Sequence, residues 1–245
     1  MPDAILSVSG LTVSFDGFKA VDDLGFSVEQ NELRCVIGPN GAGKTTLLDM
    51  ICGKTKPTSG RILFKNHDLT NVTEYNITRL GVGRKFQTPS VYEDLTVFEN
   101  LEISYPKHRG VVGSLFFNRT PQIARHTKEL AGEIYLEDDL ETKAGTLSHG
   151  QKQWLEIGML LMQEPELLLL DEPVAGMSAR ERDLTADLLV RIAKGRSIVL
   201  IEHDMEFVRK IAHRVTVLHQ GKLLSEGSMD QIQADPKVIE VYLGM

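Results

Sequence analysis

The sequence predicts an α/β fold in which a mostly parallel core sheet is joined by an N-terminal antiparallel β layer and an inserted α-helical subdomain. Strand and helix patterns alternate toward both ends of the 245-residue chain, which favours parallel strands connected through helices. The first segments instead alternate apolar and polar residues, a pattern typical of antiparallel strands with one wet face. Between about Thr88 and Thr146 the strand signal fades and helical spacing takes over.

The N-terminal part contains three predicted strands and one helix. Ile5 to Phe15 and Val21 to Val28 alternate apolar and polar side chains and predict the antiparallel layer. Leu33 to Ile37 is a short apolar run and predicts a buried strand of the core sheet. Lys44 to Cys52 has helical spacing, and Gly53 is a typical helix stop. The core therefore begins as strand, glycine loop and helix.

The rest of the chain adds the inserted helices and further core strands. The predicted segments are helices at Val97 to Ser104, Pro121 to Leu136 and Lys152 to Met162, a strand at Leu167 to Leu170, a helix at Ala179 to Ala193, strands at Ser197 to Ile201 and Arg214 to His219, and a helix at Pro236 to Leu243. We expect one enlarged domain over residues 1–245, with its core and β parts in 1–87 and 147–245 and the helical insertion in 88–146.

Composition excludes several classes of protein. The 34 acidic against 27 basic residues give a formal net charge of −7, the wrong sign for binding phosphate backbones, so we expect no nucleic-acid partner. No stretch approaches the roughly 18 consecutive apolar residues that a membrane-spanning helix needs. The first residues lack a secretory-signal pattern, and only Cys35 and Cys52 are present. We therefore expect a cytoplasmic chain for which any membrane role is peripheral.

The strongest chemical signal is a glycine-rich loop between a predicted strand and a predicted helix. It satisfies the pattern GxxxxGK[ST] and consists of Gly38, Pro39, Asn40, Gly41, Ala42, Gly43, Lys44 and Thr45. Glycines let successive backbone N–H groups turn inward around a phosphate, and the following helix adds the positive end of its dipole. Lys44 can reach the β- and γ-phosphates, and the Thr45 hydroxyl is placed for Mg²⁺. The loop, with Thr46 after it, predicts an ATP site.

Two adjacent carboxylates follow the leucine strand. Leu167 to Leu170 by itself indicates only a core strand. Ligands in open α/β sheets bind beyond the carboxyl ends of the strands, which places Asp171 and Glu172 beside the phosphate loop. Asp171 would assist Mg²⁺ through its water, and Glu172 would activate the water that attacks the γ-phosphate. Without the upstream loop, the same pair would be a surface turn about as often as a catalytic pair.

A third element is the stretch Leu147-Ser148-His149-Gly150-Gln151. Ser148 is a good N-cap, and a helix that begins there offers unpaired N–H groups and a partial positive charge. In isolation this is only a helix start. Its position before the leucine strand resembles the ATP-binding subunits of ABC transporters, whose signature stretch, usually LSGGQ, occurs there.

The resemblance covers nearly the whole chain and implies the P-loop NTPase fold in its ABC ATPase form. In that family, two nucleotide domains clamp two ATP molecules head to tail. The signature of one domain binds the γ-phosphate held by the phosphate loop of the other. The resemblance therefore implies that Ser148, Gly150 and Gln151 act in trans.

The resemblance also assigns roles to residues that would carry none alone. Gln87 matches the glutamine that senses Mg²⁺ and links to the transmembrane partner, which makes it both a catalytic and a metal position. His203 matches the switch histidine that contacts the γ-phosphate and orients Glu172. Phe15 lies about where the family places an aromatic residue that stacks on adenine. A core role for Phe15, or Phe18 as the stacking residue, stays open.

Two departures from the family pattern stand out. His149 replaces the first signature glycine, and we assign it no role because its side chain can point to solvent. The segment Val174 to Ser178 lacks the common SALD sequence, which leaves the contacts between protomers open there. Ala175-Gly176-Met177 and the ending Val241 to Met245 together resemble the ATPases of branched-chain amino acid and urea importers. The stretches 81–100 and 148–158 resemble the urea member more.

The resemblance implies the ATP-hydrolysing motor of a membrane importer for urea or branched-chain amino acids. Its cofactors would be ATP and Mg²⁺. Its partners would be transmembrane permease subunits and a second ABC ATPase, identical or different, with no direct contact to the transported substrate. A soluble ABC-type ATPase and a lipid-exporter motor remain alternatives. Tyr92, Leu95, Val97, Phe98 and apolar residues at 111–117 are candidates for docking a permease helix, with a core role as the alternative for most of them.

Overall fold

The computed structural model describes residues 4–85, 90–105 and 120–243. The strands are β1 (Ala4–Phe15), β2 (Phe18–Glu29), β3 (Leu33–Ile37), β4 (Ser59–Phe64), β5 (His67–Asp68), β6 (Val82–Lys85), β7 (Leu167–Asp171), β8 (Ser197–Ile201), β9 (Arg214–His219) and β10 (Lys222–Gly227). The helices are α1 (Lys44–Ile51), α2 (Glu74–Arg79), α3 (Val97–Ile103), α4 (Pro121–Glu133), α5 (His149–Leu161), α6 (Ala179–Ile192), α7 (Met205–Ile211), α8 (Met229–Ala234) and α9 (Pro236–Leu243).

The chain divides into two compact units. The first comprises Met1–Arg84, Glu166–Glu172 and Leu189–Met245, and the second comprises Lys85–Pro165 and Pro173–Leu188. The second unit contains α3, α4, α5 and the first part of α6. Among residues 4–85, 90–105 and 120–243, no helix is long and apolar enough to cross a bilayer.

The larger sheet has the strand order β10-β9-β3-β8-β7-β6. β3 runs parallel to both β8 and β9, and β7 runs parallel to β8, whereas β10 is antiparallel to β9. Every residue of β3, β7 and β8 is buried, which explains why these strands are apolar runs without alternation. The predicted mostly parallel core sheet is confirmed.

The smaller sheet has the order β2-β1-β4-β5, and its pairs are antiparallel. Its two long strands bury alternate residues over much of their length, as their sequences predict. Bulges interrupt the β1–β2 register, which accounts for breaks in the alternation. The predicted antiparallel layer is therefore confirmed, with β4 and β5 as additional members.

The helices of the second unit begin at recognisable capping residues. Thr96 and Glu99 form a reciprocal capping box at the start of α3. Thr120 caps α4 through its side chain, and Pro121 occupies the first turn. The predicted start of α4 is confirmed, but its predicted end at Leu136 is wrong because Tyr135 adopts a left-handed φ of 61°.

Arg34 forms a buried charge cluster across three neighbouring strands of the larger sheet. Its side chain is 0% exposed, and its guanidinium donates to Glu32 Oε1 at 2.8 Å, Thr216 Oγ1 at 3.1 Å and Glu226 Oε2 at 2.6 Å. A buried charge is tolerated only where it is paired and hydrogen-bonded. The cluster therefore joins β3, β9 and β10, because the buried charge of Arg34 is compensated only while its acceptors on the neighbouring strands are in place.

We expect Arg34→Met to lower the free energy of unfolding by about 3–5 kcal/mol, because removing one partner leaves carboxylates poorly compensated. The matched control is Arg214→Met, since Arg214 pairs with the same Glu226 at 3.4 Å but is 46% exposed. That control should lose less than about 1 kcal/mol. Urea unfolding of both variants measures the difference, and equal losses would contradict the structural role of the Arg34 cluster.

Candidate functional site

The carboxyl ends of β3, β7 and β8 place the predicted site residues at one edge of the larger sheet. The phosphate loop follows β3, Asp171 ends β7, and His203 follows β8. Asp171 pairs in register with Ile201, and the backbone N–H of Glu172 extends this pairing by donating to the Ile201 carbonyl at 3.0 Å. The fold thus brings together residues that are far apart in the sequence.

The phosphate loop requires glycine at two positions, because its backbone passes close to other backbone segments there. Gly38 has a φ of 150°, and an added β-carbon would lie 2.2 Å from the Leu218 carbonyl oxygen. Gly43 has a φ of 96°, and its added β-carbon would lie 2.4 Å from the Ala20 carbonyl oxygen. Both obstructing atoms belong to the backbone and cannot rotate away. This explains physically why the pattern demands glycine at these positions.

The amino group of Lys44 is bound to the loop itself in this structure. Its Nζ donates to the Gly38 carbonyl at 2.7 Å and to the Pro39 carbonyl at 3.0 Å. Partial burial lowers the pKa of Lys44, and the nearby carboxylates of Glu172 and Asp171 oppose that decrease. Lys44 therefore lies within electrostatic reach of both predicted acidic site residues.

Glu172 is held in a strained conformation beside His203. Its φ is 45°, a left-handed value that non-glycine residues rarely adopt and that occurs disproportionately at functional sites. Glu172 Oε1 lies 3.5 Å from His203 Nδ1, and the two side chains are 25% and 69% exposed. A carboxylate next to an imidazole, with access to solvent, can accept a proton from water.

The other predicted nucleotide and metal residues lie in and beside the same loop. Asn40, Gly41 and Thr45 are exposed, Pro39, Gly43 and Thr46 are half-buried, and Ala42 is buried. Within the described part of the chain, no group of three or more histidine, cysteine or carboxylate side chains could hold a metal ion. Thr45 and Asp171, which the sequence assigns to Mg²⁺, carry oxygen donors, the type of ligand that this cation prefers. Gln87 lies outside the described residues.

Phe15 and Phe18 face each other across the turn between β1 and β2. Their exposed fractions are 50% and 68%, so Phe15 is not a core residue and that alternative is wrong. Both rings are available to stack on a flat ligand. Which of them contacts adenine stays a prediction.

Ser148 caps α5 as predicted. Its Oγ accepts from the backbone N–H of Gln151 at 3.2 Å, and Gln151 Oε1 accepts from the backbone N–H of Ser148 at 3.0 Å. The amide of Gln151 also donates to Asp139 Oδ2 at 2.9 Å, which further orients the helix start. Gly150 is buried in the first turn.

Sequence reasoning missed two contacts at this helix start. His149 contacts the segment after Pro173, with its Nε2 3.0 Å from the Ala175 carbonyl oxygen, so its ring is not directed simply to solvent. The Ser148 hydroxyl donates to Glu181 Oε1 at 3.4 Å. Both contacts join distant parts of the chain within the second unit, and no local pattern signals them.

The sequence also gave no indication of Tyr242 in α9, which lies against the phosphate loop. Its hydroxyl oxygen is buried without a hydrogen bond of good geometry. Burial raises the pKa of this phenol, and the neighbouring backbone N–H of Gly38 opposes that rise. The C-terminal segment therefore supports the loop that begins the candidate site.

The comparisons with known proteins agree with this geometry. Residues 21–175 match the family described as ABC transporter, and residues 222–244 match the family described as branched-chain amino acid ATP-binding cassette transporter. The chain is 38% identical over 258 residues to the high-affinity branched-chain amino acid transport ATP-binding protein BraF of Pseudomonas aeruginosa, over 100% of this chain and 99% of that protein.

Solved structures extend the similarity to the fold. The ADP conformation of MJ1267, an ATP-binding cassette of an ABC transporter, has a TM-score of 0.86 and 31% identity over 99% of both chains. The structure of cbiO1 from Clostridium perfringens, part of the ABC transporter complex cbiONQ, has a TM-score of 0.83 and 27% identity over 99% of this chain and 96% of that chain.

We expect Gly38→Ala to abolish ATP binding and to lower the free energy of unfolding by about 2–5 kcal/mol, from backbone strain together with overpacking. The matched control is Gly10→Ala, because Gly10 has a φ of 58° but an added β-carbon there meets only Asp23 Oδ1, at an ordinary contact distance of 3.6 Å. The control should lose about 1–2 kcal/mol and bind ATP normally. Nucleotide titration and urea unfolding test both variants, and normal ATP binding by Gly38→Ala would refute the close approach.

Proposed function

Because the chain belongs to the ABC transporter family of ATP-binding proteins, we propose that it is the ATP-hydrolysing motor subunit of a membrane importer. The observation that carries the proposal is the position of Lys44, Asp171, Glu172 and His203 around one sheet edge. A cationic side chain, two carboxylates and an imidazole at the end of a phosphate loop suit phosphoryl transfer to water.

Glu172 is the proposed general base. It accepts a proton from water while the water oxygen bonds to the γ-phosphorus and the bond to the β–γ bridging oxygen breaks, giving ADP and phosphate. His203, 3.5 Å from Glu172 Oε1, orients that carboxylate and contacts the γ-phosphate. Lys44 leaves the loop carbonyls and neutralises charge on the β- and γ-phosphates.

Thr45, Asp171 and Gln87 are the residues we assign to Mg²⁺. The oxygen donors of the first two fit a hard cation, and Gln87 is assigned from the family resemblance. When bound with ATP, Mg²⁺ would neutralise charge on the transferring phosphate. Asp171 is 3% exposed at the end of β7, so the surrounding side chains restrict its position.

Two chains, identical or paired with a second ABC ATPase, would close on two ATP molecules. The signature residues Ser148, Gly150 and Gln151 of one chain would bind the γ-phosphate held by the other. The start of α5, capped by Ser148 and carrying the positive end of the helix dipole, supports this role because helix N-termini bind anions. Closure would exclude bulk water from the site and hold one water molecule in position to attack the γ-phosphate.

The proposed partners are transmembrane permease subunits, which the chain would contact from the inner face of the plasma membrane. The names of BraF and cbiO1 support this, because each describes a component of a transport system. Tyr92 is 54% exposed and remains a candidate docking residue, while Val97 and Phe98 are core residues. The apolar candidates at 111–117 lie outside the described residues.

We propose urea as the transported molecule, with branched-chain amino acids as the second candidate. The stretches 81–100 and 148–158 resemble the urea member of the family, whereas BraF and the match at residues 222–244 favour branched-chain amino acids. A soluble ABC-type ATPase or lipid exporter is less well supported, because these relatives carry the names of branched-chain amino acid transport proteins. The substrate itself would contact the permease rather than this chain.

We expect Glu172→Gln to bind ATP, to accumulate a closed dimer and to lower ATP turnover by about 10²–10⁴-fold, because the amide cannot accept the proton. The matched control is Glu166→Gln, since Glu166 precedes β7 at its opposite end and pairs with Lys65 away from the phosphate loop. Phosphate release and size-exclusion chromatography with ATP measure both properties. Wild-type turnover by Glu172→Gln would remove Glu172 as the base.

Uptake of urea and of branched-chain amino acids should be measured in cells that lack this chain. We expect loss of urea uptake, restored by the wild-type chain and by Lys54→Ala but not by Lys44→Ala, because Lys54 is a 54% exposed surface lysine. Loss of amino acid uptake alone would identify branched-chain amino acids, rather than urea, as the transported molecules. Loss of neither would contradict the importer proposal.

A further inference from the structure

The carboxylate of Glu181 bridges the starts of two helices in the second unit. Its Oε2 accepts from the backbone N–H of Ser178 at 2.8 Å and from the Ser178 hydroxyl at 2.7 Å. The backbone N–H of Glu181 in turn donates to Ser178 Oγ at 3.3 Å. This is a capping box at the start of α6, and it occupies only one of the two carboxylate oxygens.

The other oxygen, Oε1, lies over the signature residues at the start of α5. It accepts from the Ser148 hydroxyl at 3.4 Å. A β-carbon added at Gly150 would lie 2.3 Å from Oε1 and 2.6 Å from the carboxyl carbon of Glu181. Because Gly150 has no side chain, an anionic group can lie over the start of α5. In this structure that group is the carboxylate of Glu181.

The surroundings keep this carboxylate charged. The pKa of Glu181 is held below its usual value mainly by the hydroxyl and backbone N–H of Ser178, with smaller contributions from Ser148 and from His149. The start of α5 adds the positive end of a helix dipole, which also favours an anion. A phosphate that approached the start of α5 would therefore have to displace the negatively charged carboxylate of Glu181.

A second contact joins the same two segments. His149 Nε2 lies 3.0 Å from the Ala175 carbonyl oxygen, and an added β-carbon at Gly176 would lie 3.2 Å from His149 Cδ2. The two departures from the common family sequence, at His149 and in the segment after Pro173, thus pack against each other. The signature is connected to that segment through both His149 and Glu181.

We propose that Glu181 occupies the position of the partner chain's γ-phosphate and holds Ser148 until ATP displaces its carboxylate on dimer closure. The inference rests on the proposed function, in which Ser148 and Gly150 bind that phosphate in trans. After displacement, Glu181 keeps its capping bonds to Ser178 through Oε2. The exchange raises the ATP concentration at which two chains close.

The test compares Glu181→Gln with Glu99→Gln, each in the non-hydrolysing Glu172→Gln background. A capping box accepts glutamine as well as glutamate, so Glu181→Gln keeps the helix start and removes only the charge. Glu99 serves as the control because it forms the corresponding box with Thr96 at α3. We expect Glu181→Gln to lower the ATP concentration for half-maximal dimerisation by about two- to fivefold, and Glu99→Gln to leave it unchanged.

The effect should also depend on salt. Because the competition is between two anions, the advantage of Glu181→Gln should shrink as the salt concentration rises. Glu99→Gln removes the charge of a capping carboxylate in the same way and should show no such dependence in dimerisation. Urea unfolding of both variants checks that the helix starts remain intact.

The outcomes separate the two proposals. If the Glu172→Gln parent does not dimerise with ATP, the pairing of identical chains in the proposed function and this inference both fail. If the parent dimerises but Glu181→Gln matches Glu99→Gln, or needs more ATP, only the role of Glu181 is overturned. A lower ATP requirement that disappears at high salt supports displacement of the carboxylate.

Discussion

The parallel pairing of β3, β8 and β7 is the constraint on which the candidate site depends. Parallel strands end at the same edge of a sheet, so the phosphate loop, the two carboxylates and His203 meet although they follow different strands. An antiparallel β7 would carry Asp171 and Glu172 to the opposite edge, out of reach of Lys44. The complete burial of these strands makes the arrangement rigid, because both sheet faces are covered by packed side chains.

The sequence predicted those elements that a single continuous stretch of residues encodes. The buried strands are uninterrupted apolar runs, and the phosphate loop and the Ser148 cap are short patterns with one physical explanation each. It missed β4, β5 and β10, which are short and largely exposed or half-buried and therefore lack a clear hydrophobic period. It also missed the four-residue strand β6 and the seven-residue helix α7. The helices α2 and α8 are only six residues long, too short to display an amphipathic repeat.

The parts of the site that could not be predicted are those set by tertiary structure. The left-handed φ of Glu172 occurs at a residue type with no preference for it, so the surrounding backbone must impose it. The burial of Tyr242 beside Gly38 depends on where the C-terminal helix packs. Glu181 is also locally ambiguous, because the pattern Ser-x-x-Glu predicts the capping bonds of one carboxylate oxygen and gives no information about the other.

In each unit, a charged side chain of the candidate site binds groups of that same unit. In the first unit, Lys44 binds the carbonyls of Gly38 and Pro39, and in the second, Glu181 binds the hydroxyl of Ser148. Nucleotide binding is then an exchange of partners, so the net gain is smaller than the new contacts alone would provide. In the proposed dimer, the β-phosphate of ADP would suffice to replace the partners of Lys44, but only a γ-phosphate would extend to the signature of the second chain. The Glu181 contact would therefore reform once hydrolysis removes that phosphate, which favours separation of the two chains in the ADP state.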